Sequence, residues 1–232
     1  LLHLSQLYGA NNLKQILNAN WGLLLEKLKT EFFQKISEAK NDKDALLAIR
    51  VYKNQSNYVI SLSELLGFLT IEKSCKLLSE LSEHGIQQTL SFLFRQNNIN
   101  SLTNCGLAIL AMGKLGAKEL NYSSDLDLIF LHKTEPNESG KKFIEIGKKL
   151  LHMLSYPSKE GNGWRVDMRL RPNPSSTPIS LDINAAVIYY ESIARSWERA
   201  AYIRARPIAG DKELAREFLS KIDPFIWRGT LD

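Results

Sequence analysis

The chain has 232 residues, 44% hydrophobic and 24% charged, with 30 Lys+Arg against 25 Asp+Glu and a formal net charge of +5. That composition excludes a disordered tail, a collagen-like repeat and a membrane-spanning protein, and the length is enough to bury a core. The most apolar short run, GLAILAMG at 106–113, falls far below the roughly 18 residues that a spanning helix needs.

The first hundred residues read as helices. Residues 12–39 space Leu13, Ile16, Leu17, Leu24, Leu25, Leu28, Phe32, Phe33 and Ile36 in threes and fours, the period of an amphipathic helix. Residues 44–69 repeat the pattern, and residues 71–94 do so behind Thr70, an expected N-cap. Residues 1–100 are therefore expected to form an all-helical subdomain, with the polar stretch 96–104 as linker. All seven prolines lie at or after Pro136, and the character changes accordingly. Residues 107–112 and 126–132 are short apolar runs expected as strands joined by a glycine-containing loop. Residues 140–154 read as a helix. Residues 164–171 alternate: Val166, Met168 and Leu170 face one way, and Asp167, Arg169 and Arg171 the other, the pattern of a half-buried strand. A loop is expected at 172–178, a helix at 182–201 capped by Asp182, and another at 212–222. Residues 101–232 are thus expected to be an α+β domain: a small mixed sheet with flanking helices.

The sharpest chemical feature is Ser123-Ser124-Asp125-Leu126-Asp127. On a strand Asp125 and Asp127 project from one face, and two adjacent carboxylates repel unless a cation lies between them. Magnesium is the natural choice, since it takes one or two carboxylates and completes its shell with water and phosphate oxygens. The plain alternative is a solvated strand edge. Upstream, Gly113-Lys114-Leu115-Gly116 could bring backbone N–H groups close to a phosphate, although neither a Walker loop nor G-x-G-x-x-G is present. Downstream, Asp167 could supply the third carboxylate of a two-metal site, or simply pair with Arg169 or Arg171. Arg195, Arg199, Tyr202 and Arg206 would form a basic stripe if the helix around Trp197 continued; they either bind phosphate or are solvated beside a packed Trp197. Lys141, Lys142, Lys148 and Lys149 read as a solvated helix face. His3, His84, His132 and His152 are scattered, and each reads as structural or exposed. Cys75 and Cys105 lack ligand spacing, so neither zinc nor a disulfide framework is expected, and a reducing cytoplasm fits. No export signal opens the chain, and it begins without Met, as a fragment of a longer protein would.

Three blocks carry a resemblance: GKLGAKELNYSSDLDLIFLH at 113–132, RVDMRLRP at 165–172 and YYESIARSWERAAYIRARPIAGD at 189–211. Together they are similar to the nucleotidyltransferase domains of the bifunctional glutamine synthetase adenylyltransferase/adenylyl-removing enzymes. The DMRLRP and WERAAYIRARP runs look more like the N-terminal, adenylyl-removing half. Two departures are Ala117, where glycine is usual, and Ile193-Ala194-Arg195-Ser196, in place of a Gly-Arg-Asp-like turn. The resemblance implies a polymerase-β-like nucleotidyltransferase fold and removal of AMP from a tyrosine of glutamine synthetase by phosphorolysis, releasing ADP.

It further implies that Asp125, Asp127 and Asp167 are catalytic and hold two Mg²⁺ ions, with Mn²⁺ as a substitute. Gly113, Lys114, Gly116, Ser123, Ser124, Arg169, Arg171, Arg199 and Arg206 would bind phosphate or nucleotide, with Arg199 and Arg206 favoured for phosphate. The implied partners are glutamine synthetase, the phosphate, ADP and AMP groups, and nitrogen-regulatory PII protein acting through the full-length enzyme; no membrane is implied. Transfer of AMP from ATP is the alternative direction. A nucleic-acid-directed nucleotidyltransferase is a further alternative, mildly favoured by the basic charge but lacking an aromatic stacking platform.

Overall fold

The computed structural model describes residues 10–99, 101, 104–134 and 139–227. His3 lies outside them, as do the side chains of Leu13, Ile16 and Leu17. The expected amphipathic segments form α1 (Ala10–Glu38, kinked at Asn20), α2 (Asp42–Leu65) and α3 (Ile71–Gln96). Asn41 caps α2 by accepting from Asp44 N at 3.0 Å, and Thr70 caps α3 by accepting from Lys73 N at 3.3 Å, each satisfying an otherwise unpaired helix donor.

The second half alternates strands and helices in the order β1 (Leu107–Ala111), α4 (Gly113–Gly116), β2 (Leu126–His132), α5 (Lys141–Ser155), β3 (Val166–Asp167), β4 (Ser180–Asp182), α6 (Ile183–Ser192), α7 (Ser196–Tyr202), β5 (Arg206–Gly210) and α8 (Lys212–Ile226). The strands form one mixed sheet in the order β3-β2-β1-β5. β1 lies antiparallel to β2 and to β5, while β3 and β4 run parallel to β2 along its other edge.

β1 and β2 are apolar on both faces because both faces are covered. Leu107, Ile109, Leu128 and Phe130 join the cluster built with α1, α2, α3 and α5, so the helical layer and the sheet share one continuous core. Leu110, Ile129 and Leu131 turn to the other side, where Tyr190, Tyr202, Phe218 and Ile222 of α6, α7 and α8 meet them. Polar ties reinforce the first interface. Arg206 pairs with Glu83, and Lys149 reaches Asp42 at 3.0 Å and Gln96 at 2.7 Å. Lys149 therefore joins α5 to the helical layer and is not part of a wholly solvated face; Lys141, Lys142 and Lys148 are exposed.

Three expectations need correcting. The strand expected over 164–171 stops at Asp167, because Asp167 Oδ1 accepts from Arg169 N at 2.8 Å and turns the chain, as short acidic side chains do. The helix expected over 182–201 is two helices: it halts at Ser192, and Arg195, in extended conformation, starts α7 with its N–H donated to Glu198 Oε1 at 3.2 Å. Arg206 lies on β5, a strand not foreseen, so the basic stripe of one continuous helix does not form.

Candidate active site

Register brings the acidic residues together. β2 and β3 pair in parallel with Leu126 opposite Val166 and Asp127 opposite Asp167, so the two aspartates sit on neighbouring strands about 4.8 Å apart. Asp127 continues the row of Ile129 and Leu131 at the end where apolar cover stops. Asp125 stands two residues earlier, just before β2 begins.

The environment of each carboxylate differs. Asp127 is partly buried and makes no ion pair among the described residues; its pKa is pushed above the usual aspartate value by burial first, then by the charges of Asp167 and Asp125, with Arg169 and Lys114 opposing. Asp167 is held below its usual value, chiefly by hydrogen bonds from Arg169, whose Nε lies 2.8 Å from Oδ2 and 3.1 Å from Oδ1. Asp125 Oδ1 is buried and has no well-aligned hydrogen bond; Arg165 Nε approaches it at 2.6 Å as an ion pair.

The residues around these carboxylates divide into those that face them and those used elsewhere. Gly113 opens α4 with φ +52°, and a Cβ there would stand 2.5 Å from Asp127 Oδ2, so the absence of a side chain lets the carboxylate occupy its place. Lys114 is exposed beside it. Gly116 is buried, its Cα pressed against the carbonyls of Arg204 and Ala111, so it serves packing. The Ser123 and Ser124 hydroxyls both donate to Asn121 Oδ1, at 3.3 and 2.7 Å, and shape the turn into Asp125.

The arginines divide in the same way. Arg169 is 84% exposed beside the acidic trio. Arg171 donates Nη1 to the Met168 carbonyl and Nη2 to the Pro174 carbonyl, both at 2.7 Å. Arg199 donates Nε to the Ile226 carbonyl at the far end of α8, at 3.4 Å. Arg206 spends its donors on Glu83 and on the carbonyls of Leu115 and Gly116, which ties α3 and α4 to β5. The arginine nearest Asp125 is Arg165, not foreseen as a site residue; its place within the alternating run, on the same side as Asp167, was the available signal.

The donor chemistry fits a hard divalent cation: three carboxylates, one with a buried oxygen lacking a hydrogen bond. In the present side-chain arrangement, no three acidic, histidine or cysteine side chains among the described residues converge on an ion position, because Asp125 and Asp167 are engaged by guanidinium groups. Those arginine side chains are 71% and 84% exposed, so each can swing into solvent without breaking core packing. His84 and His132 are used structurally, bonded to Tyr52 at 3.1 Å and Ser180 at 2.9 Å.

Sheet and site together define an α+β protein with an acidic centre at the open end of paired strands. The family model described as glutamate-ammonia ligase adenylyltransferase matches residues 9–221. Among similar relatives, the bifunctional glutamine synthetase adenylyltransferase/adenylyl-removing enzyme of Bartonella quintana (strain Toulouse) is 40% identical over 212 residues, covering 84% of this chain and 22% of the relative. The enzyme of the same name from Bartonella henselae is 37% identical over 248 aligned positions, covering 95% of this chain and 26% of the relative. This chain belongs to the glutamate-ammonia ligase adenylyltransferase family. It spans about a quarter of the length of the curated relatives it matches.

Proposed function

We propose that this chain is a nucleotidyltransferase domain of polymerase-β type that removes AMP from the adenylylated tyrosine of glutamine synthetase. The observation that carries the reading is the parallel register of Asp127 against Asp167, with Asp125 two residues away on the same strand end. Two features support it: the carboxylate-only donor set, and an exposed Arg169 and Lys114 beside it.

In the proposed reaction an oxygen of inorganic phosphate attacks the α-phosphorus of the adenylyl-tyrosine, and the bond from that phosphorus to the tyrosine oxygen breaks. ADP and the tyrosine hydroxyl result, the phenolate taking the proton carried by the attacking phosphate. The leaving phenol has a pKa near 10, so departure asks for charge neutralisation more than for a strong acid. Asp125, Asp127 and Asp167 would hold Mg²⁺ or Mn²⁺, which would supply that neutralisation at the transferring phosphoryl group. Arg169 would leave Asp167 and offer its fork to phosphate oxygens. Lys114 would add a further positive charge near Asp127, and Gly113 would leave room for the carboxylate.

The test is direct. Purified chain is incubated with adenylylated glutamine synthetase, phosphate and Mg²⁺, and ADP is measured. Phosphate-dependent ADP release supports the reading. Turnover only with ATP and unmodified glutamine synthetase would reverse the direction, and turnover with neither would overturn the assignment of this domain.

A further inference from the structure

Beside the acidic trio the chain builds a second feature. The break between α6 and α7 opens a cavity of about 340 Å³ lined by Arg169, Arg171, Tyr189, Ile193, Arg195, Trp197 and Glu198. Three arginines face one carboxylate here, so the cavity is cationic. Glu198 is 5% exposed and already engaged, accepting from Tyr189 Oη at 3.0 Å and from Arg195 N at 3.2 Å. It fixes the corner, and the three arginines outnumber it.

The arginines are not equivalent. The outer nitrogens of Arg171 are bound to carbonyls, which locks the guanidinium, while its Nε is buried with no hydrogen-bond partner among the described residues. An unpaired buried donor on a charged group is costly, and it leaves the Arg171 charge only partly compensated beside the cavity. The Arg195 side chain forms no ion pair among the described residues. Arg169 links the cavity to the centre, since it lines the cavity and holds Asp167. The rest of the wall comes from Asn173, Pro174, Tyr189, Ile193 and Trp197, and the Trp197 ring, 56% exposed, offers a flat apolar face to the cavity.

We propose that this cavity is a nucleoside-phosphate subsite, in which the Trp197 ring stacks on the base while Arg195 and Arg169 take the phosphate oxygens and the fixed charge of Arg171 adds to the field. Planar guanidinium forks suit phosphate, and a flat indole suits a base of any sequence. The subsite rests on the reading of the neighbouring acidic centre as a phosphoryl-transfer site, and within that reading its occupant is the adenylyl group and then the ADP product.

Binding, not turnover, tests it. The purified chain is titrated with ADP, and with inorganic phosphate alone, by calorimetry and by tryptophan fluorescence. The expected result is saturable ADP binding that weakens at least about tenfold in Trp197→Ala and in Arg195→Ala, with partial recovery in Trp197→Phe. Ligand-dependent quenching should vanish in Trp197→Phe and persist in Trp227→Phe. Both probed side chains are exposed, so the variants should keep the wild-type circular dichroism spectrum. Undiminished ADP binding in both alanine variants, or phosphate binding as tightly as ADP, would overturn the subsite. Absence of phosphorolysis with intact Trp197-dependent ADP binding would instead overturn the proposed reaction and leave the subsite standing.

Discussion

Asp127→Asn separates a catalytic carboxylate from a structural one. Asp127 and Asp167 are register partners on strands about 4.8 Å apart, and two charges held at roughly that spacing repel by about 3 kcal/mol at an effective dielectric of 20 but less than about 1 kcal/mol in water. Arg169 and Lys114 offset part of this, and the site is only partly buried, so about 1 kcal/mol of destabilisation remains. The sign follows from the raised pKa: the folded state binds the proton of Asp127 more tightly than the unfolded chain does, so its ionisation costs stability above the folded pKa, and the cost is relieved as pH falls through it. The metal-free variant should therefore melt ~2–4 °C higher than wild type at pH 7, and the gap should close on acidification. ADP release should meanwhile fall by about 10²–10³. Differential scanning calorimetry across pH and the ADP assay measure the two halves. A lowered Tm at pH 7, a gap insensitive to pH, or full activity would refute the reasoning.

Further outcomes follow from the same geometry. Gly113→Ala places a methyl 2.5 Å from Asp127 Oδ2 at a positive φ, and should cost about 1–2 kcal/mol in chemical denaturation together with at least tenfold in ADP release. Arg206→Met strands Glu83 and two carbonyls, and should lower stability by about 2–4 kcal/mol while leaving phosphate affinity of the folded protein unchanged; weaker phosphate binding would show that this arginine does reach the site. In the metal-free protein, carboxylate NMR should find Asp127 titrating above the ordinary aspartate range, and Asp125→Asn should bring it down by removing one like charge.

Much of the site was legible in the chain because it depends on short-range rules. Period-two geometry alone puts Asp125 and Asp127 on one side of a strand, and the threefold and fourfold spacing of Leu24, Leu28, Phe32 and Ile36 marks a helix. That Asp167 joins them needed the pairing of β2 with β3, a non-local fact carried by only two residues of strand. The alternation through Arg171 misled because Asp167, by accepting the N–H of Arg169 two residues on, makes a turn while keeping a strand-like sequence pattern. The split of α6 from α7 has no glycine or proline to announce it; it is fixed by Glu198 reaching back to Arg195 N and Tyr189 Oη. Arg206 reads as a phosphate ligand by type, and only the approach of Glu83 from α3 shows its donors to be occupied.

Diffraction from crystals soaked in Mn²⁺, read at the manganese anomalous edge, locates the cation that the three carboxylates would hold. The expected result is an anomalous peak beside Asp125, Asp127 and Asp167, at the ~2.0–2.2 Å usual for small divalent ions on oxygen, with Arg165 and Arg169 turned away. Manganese bound elsewhere on the chain, with both arginines still paired to their aspartates, would contradict it.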